Sequence, residues 1–308
     1  MILFPSRFGL GAWQFRNASP GSPAFAKAAA IFREAYALGV RHVDTAASYG
    51  EGTSESCVGA LTAGFGDVFV ATKIRQLETA AEVLASIDQS RSRLGRDRLD
   101  LIYLHWPLRG HDLAPTLEGL EAARSRGWTT YVGVCNFTVD QLAEASRSCR
   151  MDCLQIGCNL LWRWPEYDVL PYCRDNGIAA VSYSSLAQGL LAAPPRELKD
   201  IRGDDPRLKT VFYEKTVYPK ILEAITEMGA VADGMGVSLA RLAGEWVLNR
   251  KGIVAALVGA SSPEQLRGAI GDQVPLPGLE AALDRLTGIS DALKPWIPDY
   301  GNMFKHYP

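Results

Sequence analysis

The chain has 308 residues, a net charge of −2, 47% apolar residues and 21% charged residues. A chain of this size buries roughly three quarters of its unfolded surface, so its core needs no disulfide or metal staple. Its composition excludes disorder, and its charge balance excludes a dedicated nucleic-acid or anionic-membrane binder.

In chain order, short β-rich or continuously apolar runs lie at residues 7–13, 42–47, 68–73, 101–106, 130–136, 154–159, 179–184 and 253–259. Such runs suit strands of a parallel sheet covered on both faces. Helical patterns fall between them. Ser22 and Pro23 open a helix over 24–38 that Gly39 closes, and Val83, Leu84, Ile87 and Leu94 mark the buried stripe of a helix over 80–94. Thr138 caps a helix over 139–147. Residues 191–252 break the rhythm: a polar, proline-containing stretch at 194–210 is a lid candidate, and helices are predicted near 215–232 and 238–249.

Eight strands alternating with helices predict an α/β fold, a single (β/α)8 TIM barrel over 1–308, with the long segment before strand 8 inside the same domain. An open doubly wound sheet is the alternative, but no linker or composition shift marks a second domain. No apolar run approaches the roughly 20 residues of a membrane helix. Residues 1–8 lack a signal-peptide pattern, so a cytoplasmic protein is expected. Cys57, Cys135, Cys149, Cys153, Cys158 and Cys173 form no C-x-x-C pair, and His42, His105, His111 and His306 have no metal-ligand spacing to them. Buried thiols and no metal are expected.

In such a barrel, chemistry sits at the C-terminal ends of the strands. Reading those ends in order gives Trp13, Asp44, Lys73, His105, Asn136, Gln155, Tyr183 and then Gly259, Ala260 and Ser261. Each alone has a structural explanation as a cap, a rim residue or a satisfied polar group; together they point into one mouth. The set suits carbonyl reduction. Tyr49, five residues past Asp44, is a proton donor whose anion needs stabilising. The Lys73 ammonium supplies that stabilisation, and Asp44 holds the lysine charged. His105 can orient a carbonyl, while Trp13, Trp106 and Trp162 can wall a substrate pocket.

The run at 9–14 (GLGAWQ) is not a Rossmann fingerprint, because Gln14 replaces the third glycine and the run lies in a first barrel strand. A phosphate site is better sought after strand 8, where Ser261, Ser262 and the amides of a proline-started helix collect. Asn136 and Gln155 can pair with a nicotinamide carboxamide, and Tyr183 can stack on its ring.

Residues 42–51 (HVDTAASYGE), 69–73 (FVATK), 100–106 (DLIYLHW), 132–137 (VGVCNF), 181–190 (VSYSSLAQGL) and 258–266 (VGASSPEQL) carry a resemblance to the aldo-keto reductase family, in order and in spacing. The chain looks most like the bacterial branch with a long insertion before strand 8. The resemblance implies an NAD(P)-dependent oxidoreductase that reduces an aldehyde or ketone through a tetrad of Asp44, Tyr49, Lys73 and His105, with Tyr49 as proton donor. It implies cofactor contacts at Gly11, Ala12, Trp13, Asp44, Asn136, Gln155, Tyr183 and Ser184. Leu186, Gln188 and Gly189 would line the pyrophosphate, and Gly259, Ser261 and Gln265 the adenosine end.

Three departures from the family pattern stand out: Cys135 for serine, Ser185 for proline, and an adenosine end poor in cations. There Gln265 and Gly259 stand where arginine or lysine is common, and Gly268 and Ala269 replace a Glu-Asn pair. Arg267 is the one local substitute, and NADP(H) is expected slightly ahead of NAD(H). Competing expectations are an NAD-dependent sugar or alcohol dehydrogenase working oxidatively, a slow-turnover NADP-sensing binding subunit, and a Schiff-base aldolase using Lys73. The expected partner is a small carbonyl or alcohol; neither nucleic acid nor membrane is expected.

Overall fold

The computed structural model describes residues 2–193, 197–272 and 274–305. Eight parallel strands close into a barrel in sequence order. They are β1 (Phe8–Gly11), β2 (His42–Asp44), β3 (Phe69–Ile74), β4 (Leu99–Leu104), β5 (Thr129–Cys135), β6 (Cys153–Gly157), β7 (Ala179–Tyr183) and β8 (Ile253–Val258). All eight predicted strands are present, and this is the (β/α)8 architecture the alternation implied.

Except for β3, which ends one residue later, the strands end sooner at the mouth than their apolar runs suggest. β1 stops at Gly11, and Trp13–Phe15 forms a short 3-10 turn. β2 stops at Asp44, while Asn136 (φ 63°) and Ser184 (φ 51°) leave their strands in the left-handed region. The chain must bend outward there to start each loop, and strand geometry is lost before the apolar run is.

The helices are α1 (Pro23–Ala37), α2 (Thr53–Thr62), α3 (Ala80–Leu94), α4 (Ala114–Ser125), α5 (Val139–Ala145), α6 (Val169–Asp175), α7 (Tyr218–Gly234), α8 (Leu239–Leu248), α9 (Pro263–Ile270) and α10 (Leu279–Leu293). Their ends follow local chemistry. The Ser22 hydroxyl accepts from Phe25 N at 3.1 Å to start α1, and Thr79 and Glu82 form a reciprocal capping box for α3. Within 197–210, Leu198–Asp200 and Pro206–Lys209 are short 3-10 turns; residues 194–196 of the predicted lid lie outside the described residues.

Side chains alternate between the two faces of a strand, so residues two apart share the barrel interior. Going up the barrel, Ala71 is followed by Lys73, Leu101 by Tyr103 and His105, Cys153 by Gln155, and Val181 by Tyr183. The lower layers are apolar, with Ala71, Leu101, Val181, Ala255 and Leu257 packed together above Ile2. The interior therefore changes from apolar to ionisable as it approaches the mouth, and this gradient positions the site.

Candidate active site

Asp44 ends β2, and Lys73 is the penultimate residue of β3. Because β2 and β3 pair with Asp44 opposite Ala71, Lys73 stands one inward position above Asp44's neighbour, and its Nζ meets Asp44 Oδ1. Asp44 is 3% exposed and Lys73 1%. Lys73 Nζ also donates to Thr45 O at 2.8 Å, and Gln155 Nε2 donates to the other Asp44 oxygen at 2.7 Å. Burial works against the lysine charge, but Asp44, followed by Tyr49, outweighs it and holds Lys73 above its usual pKa.

Tyr49 reaches the same place from the loop after β2. Its loop is shaped by Gly50 (φ 60°), where a Cβ would lie 1.8 Å from Arg16 O, so only glycine fits. The Tyr49 ring lies 5.2 Å from Lys73 Nζ and meets the His105 ring edge-on at 5.7 Å. Burial pushes the phenol up, with the Lys73 ammonium opposing the rise. His105 follows β4; its Nδ1 is 3.2 Å from the Ser48 hydroxyl. Burial, reinforced by the Lys73 and Arg75 charges, brings His105 down to about 3, so the imidazole is neutral near pH 7. The four residues, carried by the ends of β2, β3 and β4 and the loop after β2, converge.

Asn136, Gln155 and Tyr183 stand on the other side of the mouth. The Tyr183 hydroxyl donates to Asn136 Oδ1 at 2.7 Å, and Asn136 Nδ2 donates to His105 O at 3.2 Å. Gln155 directs its amide nitrogen to Asp44, so it acts on the ion pair as well as facing the mouth. Ser184 is bonded by Gln188 Nε2, in a turn where Ala187 and Gln188 both have positive φ. Leu186 is buried and Gly189 half-buried in that turn.

Of the expected aromatic walls, Trp13 is 41% exposed beneath the Arg16 guanidinium, and Trp106 is half-buried beside His105. Trp162 is different. It is 3% exposed in the apolar core, and its backbone pairs with Asn159, so packing accounts for it.

Sequence reasoning missed the segment 302–305. Phe304 meets Trp106 edge-on at 6.4 Å and lies nearly parallel to Tyr183 at 6.2 Å. Rings thus run from Tyr49 through His105, Trp106 and Phe304 to Tyr183. Met303 fills the space beside Gly157, where a Cβ would come within 2.3 Å of its methyl group. No spacing rule connects residue 304 with strand ends 120 and 200 residues earlier, so the sequence held no signal for it. Ser48 was within reach, since it sits in the run containing Asp44 and Tyr49.

Two features near β1 and β8 fit a dinucleotide across this mouth. Gln14 Oε1 is buried without a hydrogen-bond partner. Gly259 leaves bare backbone against it, since a Cβ there would stand 2.6 Å from Gln14 Nε2. At the start of α9, Ser262 Oγ accepts from Gln265 N at 3.3 Å, and Gln265 Oε1 accepts from Ser261 N at 2.9 Å. Gly11, Ala12 and Trp13 lead from β1 to the same region. Among the described residues, no group of acidic, histidine or cysteine side chains is arranged to hold a metal ion.

The aldo/keto reductase family model matches residues 7–274. The chain is 31% identical over 274 residues to aldo-keto reductase YhdN of Bacillus subtilis, covering 85% of this chain and 83% of that protein. It is 27% identical over 288 residues to the NADH-specific methylglyoxal reductase of Escherichia coli, covering 85% and 88%. The glycerol dehydrogenase AKR11B4 from Gluconobacter oxydans superposes with a TM-score of 0.80 at 26% identity, over 96% of this chain and 93% of that one. A closed barrel with this constellation at its mouth, matched over these lengths, has one classification: the chain belongs to the aldo/keto reductase family and is an NAD(P)-dependent oxidoreductase.

Proposed function

We propose that Tyr49, Lys73, Asp44 and His105 reduce the carbonyl of a small aldehyde or ketone, with Tyr49 as proton donor. The observation that carries this reading is the buried Lys73 ammonium, fixed on Asp44 and facing the Tyr49 ring. A bound nicotinamide dinucleotide supplies the hydride. The protein's own task is then to hold the carbonyl oxygen and deliver one proton to it.

The Tyr49 hydroxyl donates to that oxygen, and its proton follows as negative charge builds there. The phenolate left behind faces Lys73, whose charge Asp44 and Thr45 O keep in place. With the Ser48 hydroxyl donating to Nδ1, neutral His105 carries its proton on Nε2 and presents a second donor. A phenol held above its usual pKa remains protonated at neutral pH, which favours reduction; the reverse reaction needs the phenolate and gains as pH rises. Asn136 and Gln155 would hold the carboxamide, with Tyr183 on the ring. The turn of Ser184, Leu186, Gln188 and Gly189 would follow the pyrophosphate, and Ser261 and Gln265 the adenosine end. Tyr49→Phe is expected to lower kcat/KM by about 10²–10⁴-fold while leaving NADH affinity, read by fluorescence titration, within twofold. Turnover of the variant at the wild-type rate would assign the acid elsewhere.

The adenosine end carries neutral amides at Gln14 and Gln265 where a 2′-phosphate would want cations. We therefore read NADH as the preferred donor, ahead of the NADPH that the sequence pattern favours, and the Escherichia coli relative named for NADH specificity is consistent with it. A second reading, oxidation of a polyol or sugar, draws on relatives named glycerol dehydrogenase and D-threo-aldose 1-dehydrogenase. Rates in both directions at neutral pH separate the two. Among the described residues no helix is long and apolar enough to cross a membrane, and all six cysteines are free and buried. A reducing, cytoplasmic setting is the reading these support.

A further inference from the structure

We propose that Glu34 of α1 sets the choice of dinucleotide: it captures the Arg267 guanidinium and so withholds from a 2′-phosphate the cation nearest to it. The proposal rests on the reading of α9 as the adenosine end of the cofactor site.

Arg267 lies in the last turn of α9, but a helical side chain leans toward the helix N-terminus. Glu264 is three residues earlier and therefore on the same face. Both side chains thus approach the Ser261–Ser262 end, where the helix amides and dipole would otherwise welcome an anion. Arg267 Nε donates to Glu34 Oε1 at 2.8 Å, across the packing of α1 on α9. The Arg267 side chain is 57% exposed and that of Glu34 19%, so the anchored partner is the carboxylate. Guanidinium attraction and hydrogen bonding hold Glu34 below its usual pKa, and it stays charged throughout the working range.

The local charge count follows. One guanidinium faces two carboxylates, Glu34 and Glu264, giving a net negative face. The remaining groups are already used: Gln265 Oε1 holds the Ser261 amide, and the Ser262 hydroxyl caps Gln265. A 2′-phosphate brought here would meet two carboxylates and one engaged cation. A neutral 2′-hydroxyl carries no charge for those carboxylates to repel, and its O–H can donate to one of them. Glu34 lies on a helix of the outer ring, with no place in the family's strand-end pattern.

The test is calorimetric titration of NADH and NADPH into wild type, Glu34→Gln, Arg267→Met and the double variant, without carbonyl substrate. Wild type is expected to bind NADH more tightly. Glu34→Gln is expected to tighten NADPH about fivefold and leave NADH within twofold, the scale of one exposed charge interaction. Most of the gain should vanish in the double variant, because its larger part is the release of Arg267 and only the relief of carboxylate repulsion is left. Glu264→Gln should shift NADPH in the same direction by a smaller factor. An unchanged NADPH-to-NADH ratio in Glu34→Gln overturns the proposal, as does a gain that is undiminished without Arg267 or a wild type that prefers NADPH. Binding of neither dinucleotide overturns the cofactor reading beneath it, a separate and recognisable failure. Glu34→Asp keeps the charge on a shorter stem, and its NADPH affinity should stay closer to wild type than that of Glu34→Gln.

Discussion

Lys73 is the residue on which both stability and chemistry turn, and two different measurements separate these roles. It is completely buried, and its charge is tolerated because Asp44, Thr45 O and the Tyr49 phenol surround it. Lys73→Met leaves the Asp44 carboxylate buried with only Gln155 to hold it. Breaking a buried pair from one side costs about 3–5 kcal/mol, read from denaturant midpoints. Adding Asp44→Asn removes the stranded charge, so the double variant should recover much of that stability. Turnover should stay lost in both, because the phenolate at Tyr49 has no cation. Recovery of activity with recovery of stability would make Lys73 a structural residue only. These positions were legible in the sequence because Asp44 and Lys73 lie at the mouth ends of their strands and Tyr49 follows β2 closely, and the barrel turns strand-end order into proximity. Trp162 was misplaced for the opposite reason: it lies in a loop, where order along the chain does not say which way a ring points.

At the scale of elements, the segment 302–305 and the chain before α7 act as a unit. Val211 N donates to Met303 O at 2.8 Å, and Lys305 Nζ pairs with Glu214 Oε1 at 3.1 Å. Asn302 Oδ1 accepts from Phe304 N at 2.8 Å, which fixes the turn carrying the aromatic ring. The long insertion thus holds a strap across the β6 and β7 ends of the mouth. Strand and helix periodicity predicts neither part, because both are irregular backbone stabilised by contacts distant in sequence. Phe304→Ala removes the ring between Trp106 and Tyr183. Its expected result is a several-fold rise in KM for an aromatic aldehyde, with kcat within about twofold, since the tetrad is untouched. A fall in kcat at constant KM would instead place the ring's influence on the chemical step.

The whole barrel places its ionisable groups unevenly, and this sets how its stability responds to acid. His42 lies at the start of β2, fully buried, its ring 4.6 Å from Phe4 and 5.5 Å from Phe69. Neither ring nitrogen has a hydrogen-bond partner. Burial, with the Lys73 charge adding to it, brings His42 down to about 3, the same value as His105 at the mouth. A histidine whose native pKa lies below its unfolded value of about 6.5 binds a proton more readily when the chain is unfolded. Stability from both groups is therefore fully present above pH 6.5 and is lost progressively as the pH falls toward 3. Replacing one of them with a residue that does not titrate should flatten that dependence. His42→Leu, assayed by urea midpoints at pH 7 and pH 5, should lose less stability between the two than wild type does. At pH 7 the change should be small, within about 1.5 kcal/mol, because a leucine strands no polar atom and is of similar bulk. An unaltered slope between pH 7 and pH 5 would mean that His42 titrates normally, through a partner it gains when the barrel floor opens. His105 would then be the buried histidine left to account for that slope, and His105→Gln would be the variant that flattens it.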